Sequence, residues 1–201
     1  MTVESEILGG RLPLADPTTL ARVQRELFDV LMGTQVPWAN GAGFQSTTGD
    51  GRLIGPFNPF LLNPAVASKF LDFQFAEQSQ TSLSERVRQV VILAVGAAWG
   101  ADYEIYAHSA VARKAGISED AIRTLASGAL PDALREHEKV AARVALQLST
   151  KHRIDDGLYH EVEQVFGRQG LFDIAALIGI HHAVCTTLTM FAVPAPAQDP
   201  Q

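Results

Sequence analysis

Glu104 and His108 stand four residues apart in a stretch, Leu83 to Ala115, whose apolar spacing reads as one helix, so their side chains lie one turn apart on one face. In line with Glu104 are Ala97, Gly100, Ala101, His108, Val111, Ala112 and Ala115, nearly all small or apolar. Asp102, Ser109 and Arg113 fall on the far side. A carboxylate and an imidazole are therefore expected on the inward face. The carboxylate raises the imidazole pKa and burial lowers it, and the balance yields a proton donor or acceptor near neutral pH. General acid–base chemistry needs such a pair, although two polar groups that merely satisfy each other in a core give the same pattern.

Other side chains are candidates for holding a substrate. Tyr103 precedes the carboxylate and offers a hydroxyl; Phe57 and Asn58 lie in a Gly- and Asn-rich stretch; Arg52 is a candidate bidentate clamp for a carboxylate. His181 and His182 sit in an uncharged segment, Ile174 to Val193. Adjacent residues on a helix diverge by about 100°, so the two cannot readily face one metal ion, and no metal site is expected. One of them is expected to line the pocket and the other to meet solvent or a neighbouring subunit. His137, His152 and His160 read as surface or structural residues.

The elements that must position these groups are all helical. Asp16-Pro17 reads as an N-cap with proline at the first position, opening a helix over 16–32. The segment 36–63 holds five glycines and three prolines, among them Gly41, Gly43 and Pro59, and is expected to be a loop. Its aromatics Trp38, Phe44, Phe57 and Phe60 make it a lid or pocket wall. Over 64–193 the body is helical, with starts at Asn63-Pro64, Ser82 or Ser84, Ser118, Glu136 and Asp155 or Asp156, and a final apolar helix after Gly170. Residues 194–201 read as a tail.

Composition bounds the rest. With 201 residues, 47% hydrophobic and 19% charged, the chain is expected to form a single domain over 1–201, all-α, with no strand pattern. A net charge of −6 argues against nucleic acid as a partner. An anionic substrate would need local cations, for which Arg52, Arg86, Arg88 and Arg113 are available. The lone cysteine, Cys185, allows no intrachain disulfide, and MTVESEILGG lacks the features of a secretory signal, so a cytoplasmic location is expected. The polar His181, His182, Thr186, Thr187 and Thr189 argue against a membrane span in the apolar segment.

The run LSERVRQVVILAVGAAWGADYEIYAHSAVARKAGISEDAI resembles the carboxymuconolactone decarboxylase family, which includes the AhpD-type alkylhydroperoxidases; the pattern from Tyr103-Glu104 through His108, Ala112 and Gly116-Ile117-Ser118 carries the likeness. GRLIGPFNPFLLNPAVASKF upstream, and KHRIDDGLYHEV and LIGIHHAVCTTLTMF downstream, are similar to longer bacterial members. The resemblance implies an AhpD-like helical bundle assembled as a homo-oligomer, trimer or hexamer. Its peroxidase branch carries Cys-x-x-Cys before the histidine, where this chain has Ala101 and Glu104, and Gln89 matches that branch's relay carboxylate. Thiol peroxidase chemistry is therefore disfavoured. The decarboxylase branch implies a cofactor-independent lyase acting on a small carboxylated lactone or related oxo acid, with His108 donating the proton and Glu104 orienting and charging it. An isomerase, cyclase or hydrolase using the same pair on another ring metabolite stays open, as does a non-catalytic oligomeric binding protein.

Overall fold

A computed structural model of the chain describes residues 7–197; residues 1–6, and 198–201 at the end of the expected tail, lie outside them. The helices are α1 (Arg22–Gly33), α2 (Gln35–Ala42), α3 (Phe57–Phe60), α4 (Pro64–Gln80), α5 (Glu85–Trp99), α6 (Asp102–Lys114), α7 (Glu119–Ala126), α8 (Glu136–Lys151) and α9 (Asp156–Met190). Among the described residues no strand forms, only an isolated bridge between Thr47 and Leu53.

Helix α5 is the centre. Every residue from Val87 to Gly96 is buried, and α6, α7, α8 and α9 pack around it. From Val90 to Gly96 this helix is apolar on all sides, which is stable only where other helices cover it completely. The caps anticipated from sequence are present: Asn63, Ser84, Ser118 and Asp155 each accept a hydrogen bond from a first-turn amide. The apolar side of α9 is absorbed by the same core, where Ile174, Leu177, Ile178, Val184 and Leu188 are buried.

Three expectations are corrected. The helix placed over 16–32 begins at Arg22; Asp16 and Pro17 start only a 3-10 turn, Pro17–Thr19, because Leu20 is extended at ψ 135°. The stretch Leu83 to Ala115 is two helices, not one. Gly100 adopts the left-handed region at φ +60°, its N–H bonds Ala97 O, and the chain restarts as α6. The segment 36–63 is not wholly loop, since it contains most of α2 and all of α3. Pro37 and Pro59 fall in the first turns of these helices, where a missing N–H costs nothing, and Gly43 closes α2 at φ +91°. The break expected before the last helix falls at Gly167, where α9 kinks.

The rest of 36–63 lies over α6. Gln45 N–H donates to Tyr106 Oη at 2.9 Å and Tyr103 Oη donates to Gln45 O at 2.7 Å, so both polar groups of one residue are fastened to α6. Gly55 is required beside them: a Cβ there would lie 2.3 Å from the Tyr103 ring.

Buried ion pairs lock the helices together. Glu138 on α8, fully buried, accepts from Arg86 Nε at 2.7 Å and Nη2 at 3.2 Å and from the Arg135 amide at 3.0 Å. Burial opposes its charge, but Arg86 and the Arg135 amide hold its carboxyl below the ordinary value. Its stabilisation is thus present above pH 4.5 and lost as the pH falls through the lowered native value. Glu138→Ala leaves Arg86 without its partner and should lower the unfolding free energy by about 3 kcal/mol at pH 7. Urea unfolding measures this, and an unchanged midpoint would contradict the ascribed role.

Candidate functional site

Three titratable side chains meet on the inward side of α6 and α9. Glu104 is 3% exposed, and its Oε1 lies 2.5 Å from Nδ1 of His181 and 3.9 Å from Nε2 of His108. The two imidazoles meet edge to face, with ring centres 5.1 Å apart. The expected Glu104–His108 pair is therefore corrected. Both groups do face inward, but the hydrogen-bonded partner of Glu104 is His181, on a helix 77 residues away. Burial opposes charge on Glu104; attraction to His181 and His108 and the hydrogen bond from His181 hold its carboxyl below the usual range.

His108 is held from its other side. Its Nδ1 lies 2.8 Å from Gln89 Oε1, and Gln89 Nε2 donates at 2.7 Å to Glu85. A carboxylate only accepts, so the Gln89 amide nitrogen must face Glu85 and its oxygen must face His108. Nδ1 of His108 then carries the proton and Nε2 is bare. Burial lowers the His108 pKa to about 4, against the pull of Glu104 and helped by His181 and Arg88, so the ring is neutral at pH 7. His108, expected as a proton donor, thus presents a bare acceptor nitrogen at Nε2.

A hollow of about 40 Å³ opens against these groups. Trp38 and Gln35 on α2, Phe44, Pro56, Phe57 and Phe60 of the covering segment, and Gln74 on α4 complete its wall with Tyr103 and Val184. The volume is little more than the ~30 Å³ share of one water molecule, so a larger ligand must displace part of the wall. Trp38, at 38% exposure, is the large wall group nearest to solvent.

Of the sequence candidates, His108, Glu104, Tyr103, Phe57 and His181 line this hollow, and Arg52, Asn58 and His182 do not. Arg52 is occupied by Asp50 at 2.9 Å, Asp16 at 3.2 Å and Leu14 O at 3.0 Å, and pins the chain before α1. Asn58 is spent on the same segment, accepting from the Ala15 amide and donating to Pro13 O. His182 turns to α8, where its Nε2 lies 2.8 Å from Ser149 Oγ, and packs against Trp99. Tyr103 keeps its phenolic proton, since burial pushes its pKa up and its hydroxyl donates to Gln45. Arg86, Arg88 and Arg113 are paired with Glu138, Glu77 and Glu119, so none serves as a local cation for the hollow. Cys185 is buried in the core, where burial and the Glu104 charge raise its pKa and suppress the thiolate. Gln35 and Gln74 were not legible as pocket residues, because nothing local distinguishes them from other surface glutamines.

The only His/Glu cluster of metal-ligating type among the described residues is this one: Glu104, His108 and His181 offer atoms within 4.8 Å of one another. The 2.5 Å separation of Glu104 and His181 is that of a hydrogen bond. Ligands at about 2.0–2.2 Å around a tetrahedral ion stand farther apart, so ion binding would require that bond to open.

The comparisons agree on the architecture. Residues 64–147 match the carboxymuconolactone decarboxylase family. A protein from Ralstonia eutropha JMP134, described as an alkylhydroperoxidase AhpD core and peroxidase-related, is 15% identical with a TM-score of 0.71, over 94% of this chain and 93% of that one. A peroxidase-related protein from Silicibacter sp. TM1040 is 16% identical with a TM-score of 0.70, over 98% and 96%. The debrominase Bmp8 in complex with 2,3,4-tribromopyrrole is 17% identical with a TM-score of 0.68, over 89% and 94%. No curated relative matches the chain. Over residues 64–147 the chain is thus similar to the carboxymuconolactone decarboxylase family, and it shares the all-helical fold of the AhpD-like structures.

Proposed function

We propose that the protein is an enzyme whose Glu104, His181 and His108 move a proton on a small ring-containing metabolite. One observation carries this reading: an acceptor nitrogen on His108 and a hydrogen-bonded acid–base pair, Glu104 with His181, border one hollow. His108 Nε2 takes a proton from the substrate, and the His181–Glu104 pair returns one at another position. A ligand that displaces water from the hollow strengthens each of these interactions relative to solution. No thiol takes part, as the family's Cys-x-x-Cys positions hold Ala101 and Glu104.

Decarboxylation of a carboxylated lactone is the narrower form of this proposal. It needs a donor to the carbanion left by carbon dioxide, which the His181–Glu104 pair offers, and a cation to receive the carboxylate, which the lining lacks. Isomerisation or cyclisation of an uncharged ring needs only the first, and the absence of arginine and lysine from the wall favours it. The ring bound by the debrominase supports a ring-sized ligand for this fold. A cytoplasmic, homo-oligomeric trimer or hexamer remains part of the proposal.

Incubating the protein in D2O with a panel of small lactones, enols and phenols should reveal deuterium uptake at ring positions by NMR. His108→Gln should lower the rate at least about 100-fold while leaving the helical spectrum intact. Full exchange in that variant, or none in the unaltered protein with any ring, would overturn the proposal. Because His108 acts neutral, the rate should be level from pH 5.5 to 8 and fall below about 4, the native pKa.

Stability provides a separate check. A histidine with a native pKa of about 4 and an ordinary one of 6.5 makes the unfolded chain bind the extra proton between those values, so stability falls as the pH drops from 6.5 to 4. The loss amounts to about 3 kcal/mol. His108→Gln should remove that part of the pH dependence, and an unaltered slope in urea titrations would contradict neutral burial of the ring.

A further inference from the structure

The polar groups around the hollow are unequally divided between acceptors and donors, and charge divides them further. Glu104 contributes a carboxylate, His108 a bare Nε2, and no lysine or arginine joins them. Wherever the shared proton lies between Glu104 and His181, that pair carries no net positive charge. The nearest buried cation, Arg88, is turned to α4, where both oxygens of Glu77 accept from its Nη1. A carboxylate placed in the hollow would lose its hydration beside Glu104 and find no cation in the wall, the Arg88 charge that reaches His108 being paired with Glu77. An O–H or N–H would instead meet two ready acceptors. The remaining wall is mainly aromatic, from Trp38, Phe44, Phe57 and Phe60, whose neighbouring rings stand edge to face, with Gln35 and Gln74 also lining it.

We infer that the site binds uncharged, planar single rings carrying a weakly acidic O–H or N–H, and that it rejects carboxylated analogues through the absence of any cation in its wall. The inference rests on the proton-transfer reading for the location of the substrate, but binding can be measured without turnover. The ring's acidic hydrogen meets His108 Nε2 or Glu104, its faces lie against the aromatic wall, and Gln35 or Gln74 meets a second neutral polar group. Seating it requires Trp38 to swing outward, since the hollow as it stands has only about 40 Å³.

The test compares 4-hydroxybenzamide, 4-hydroxybenzoate and 4-methoxybenzamide at pH 7.5 by titration calorimetry and by tryptophan fluorescence. The hydroxyamide should bind at least about tenfold more tightly than the hydroxybenzoate. It should also bind about fivefold or more tightly than the methoxyamide, which has no acidic O–H, and should change the fluorescence of Trp38 in a Trp99→Phe background. Gln74→Arg, which puts a cation into the wall from a half-buried position on α4, should bring the hydroxybenzoate to parity or better; Gln35→Arg is the second variant should the first fail to fold. Equal or tighter binding of the hydroxybenzoate by the unaltered protein, no binding of any of the three, or an arginine variant with unchanged preference would overturn the inference. A preference retained in His108→Gln, with no deuterium exchange in the unaltered protein, would count against the catalytic reading and for this one.

Discussion

An ionised carboxylate in the middle of an apolar bundle must be answered by a proton at hydrogen-bond distance, and the arrangement of the site follows from that constraint. Removing a carboxylate from water costs several kcal/mol even after the protein relaxes. Glu104 meets that cost through His181, 2.5 Å away, and to a smaller extent through His108. For His181 to arrive there, α9 must pack against α6 and α5 in a fixed rotation, and its neighbour His182 is thereby turned to α8 and Ser149. The division of the two histidines, one to the hollow and one to a helix contact, is a consequence of this single bond.

The charged groups elsewhere in the core serve the scaffold. Glu138 joins α8 to Arg86 on α5 and to the turn after α6, where Arg86 Nη1 also reaches Gly116 O at 2.5 Å. Glu77 and Arg88 join α4 to α5, and Arg52 with Asp16 and Asp50 anchors the chain ahead of α1. Each arginine that the sequence offered as an anion receptor, Arg113 with Glu119 included, is thus paired with a carboxylate outside the wall of the hollow. The hollow is left with acceptors and aromatic faces, which is why its preference separates from that of a carboxylate-binding site.

Local signals were legible wherever the physics is local. The caps at Asn63, Ser118 and Asp155 and the span Glu136–Lys151 follow from side chain to backbone bonding and from apolar spacing over a few residues. The inward placement of Glu104 and His108 was equally readable. What failed depended on partners remote in sequence or on position within a turn. Pro37 and Pro59 look like breakers and fall where a helix tolerates proline; Gly100 fits an apolar pattern and ends a helix. The i,i+4 spacing suggested His108 as the partner of Glu104, but spacing on one helix cannot weigh a histidine on another. Arg52 read as a carboxylate clamp because its partner Asp16 lies 36 residues away in sequence, beyond what local spacing reports.

The line from Glu85 through Gln89 to His108 sets what this site can do. Had a carboxylate stood at Gln89, it would have drawn the His108 proton and favoured an imidazolium. A neutral amide, with its nitrogen committed to Glu85, can only accept from Nδ1, so it fixes the tautomer without supplying charge. It also cannot carry a proton onward, because an amide neither gains nor loses one near neutral pH. A proton taken by Nε2 in the proposed reaction would therefore have no exit through α5 and would leave by the hollow itself, to the product, to the Glu104–His181 pair or to water entering behind Trp38. In the proposed proton transfer, an amide at Gln89 thus closes the path through α5, so that proton removal, return and exchange with solvent would all pass through the hollow.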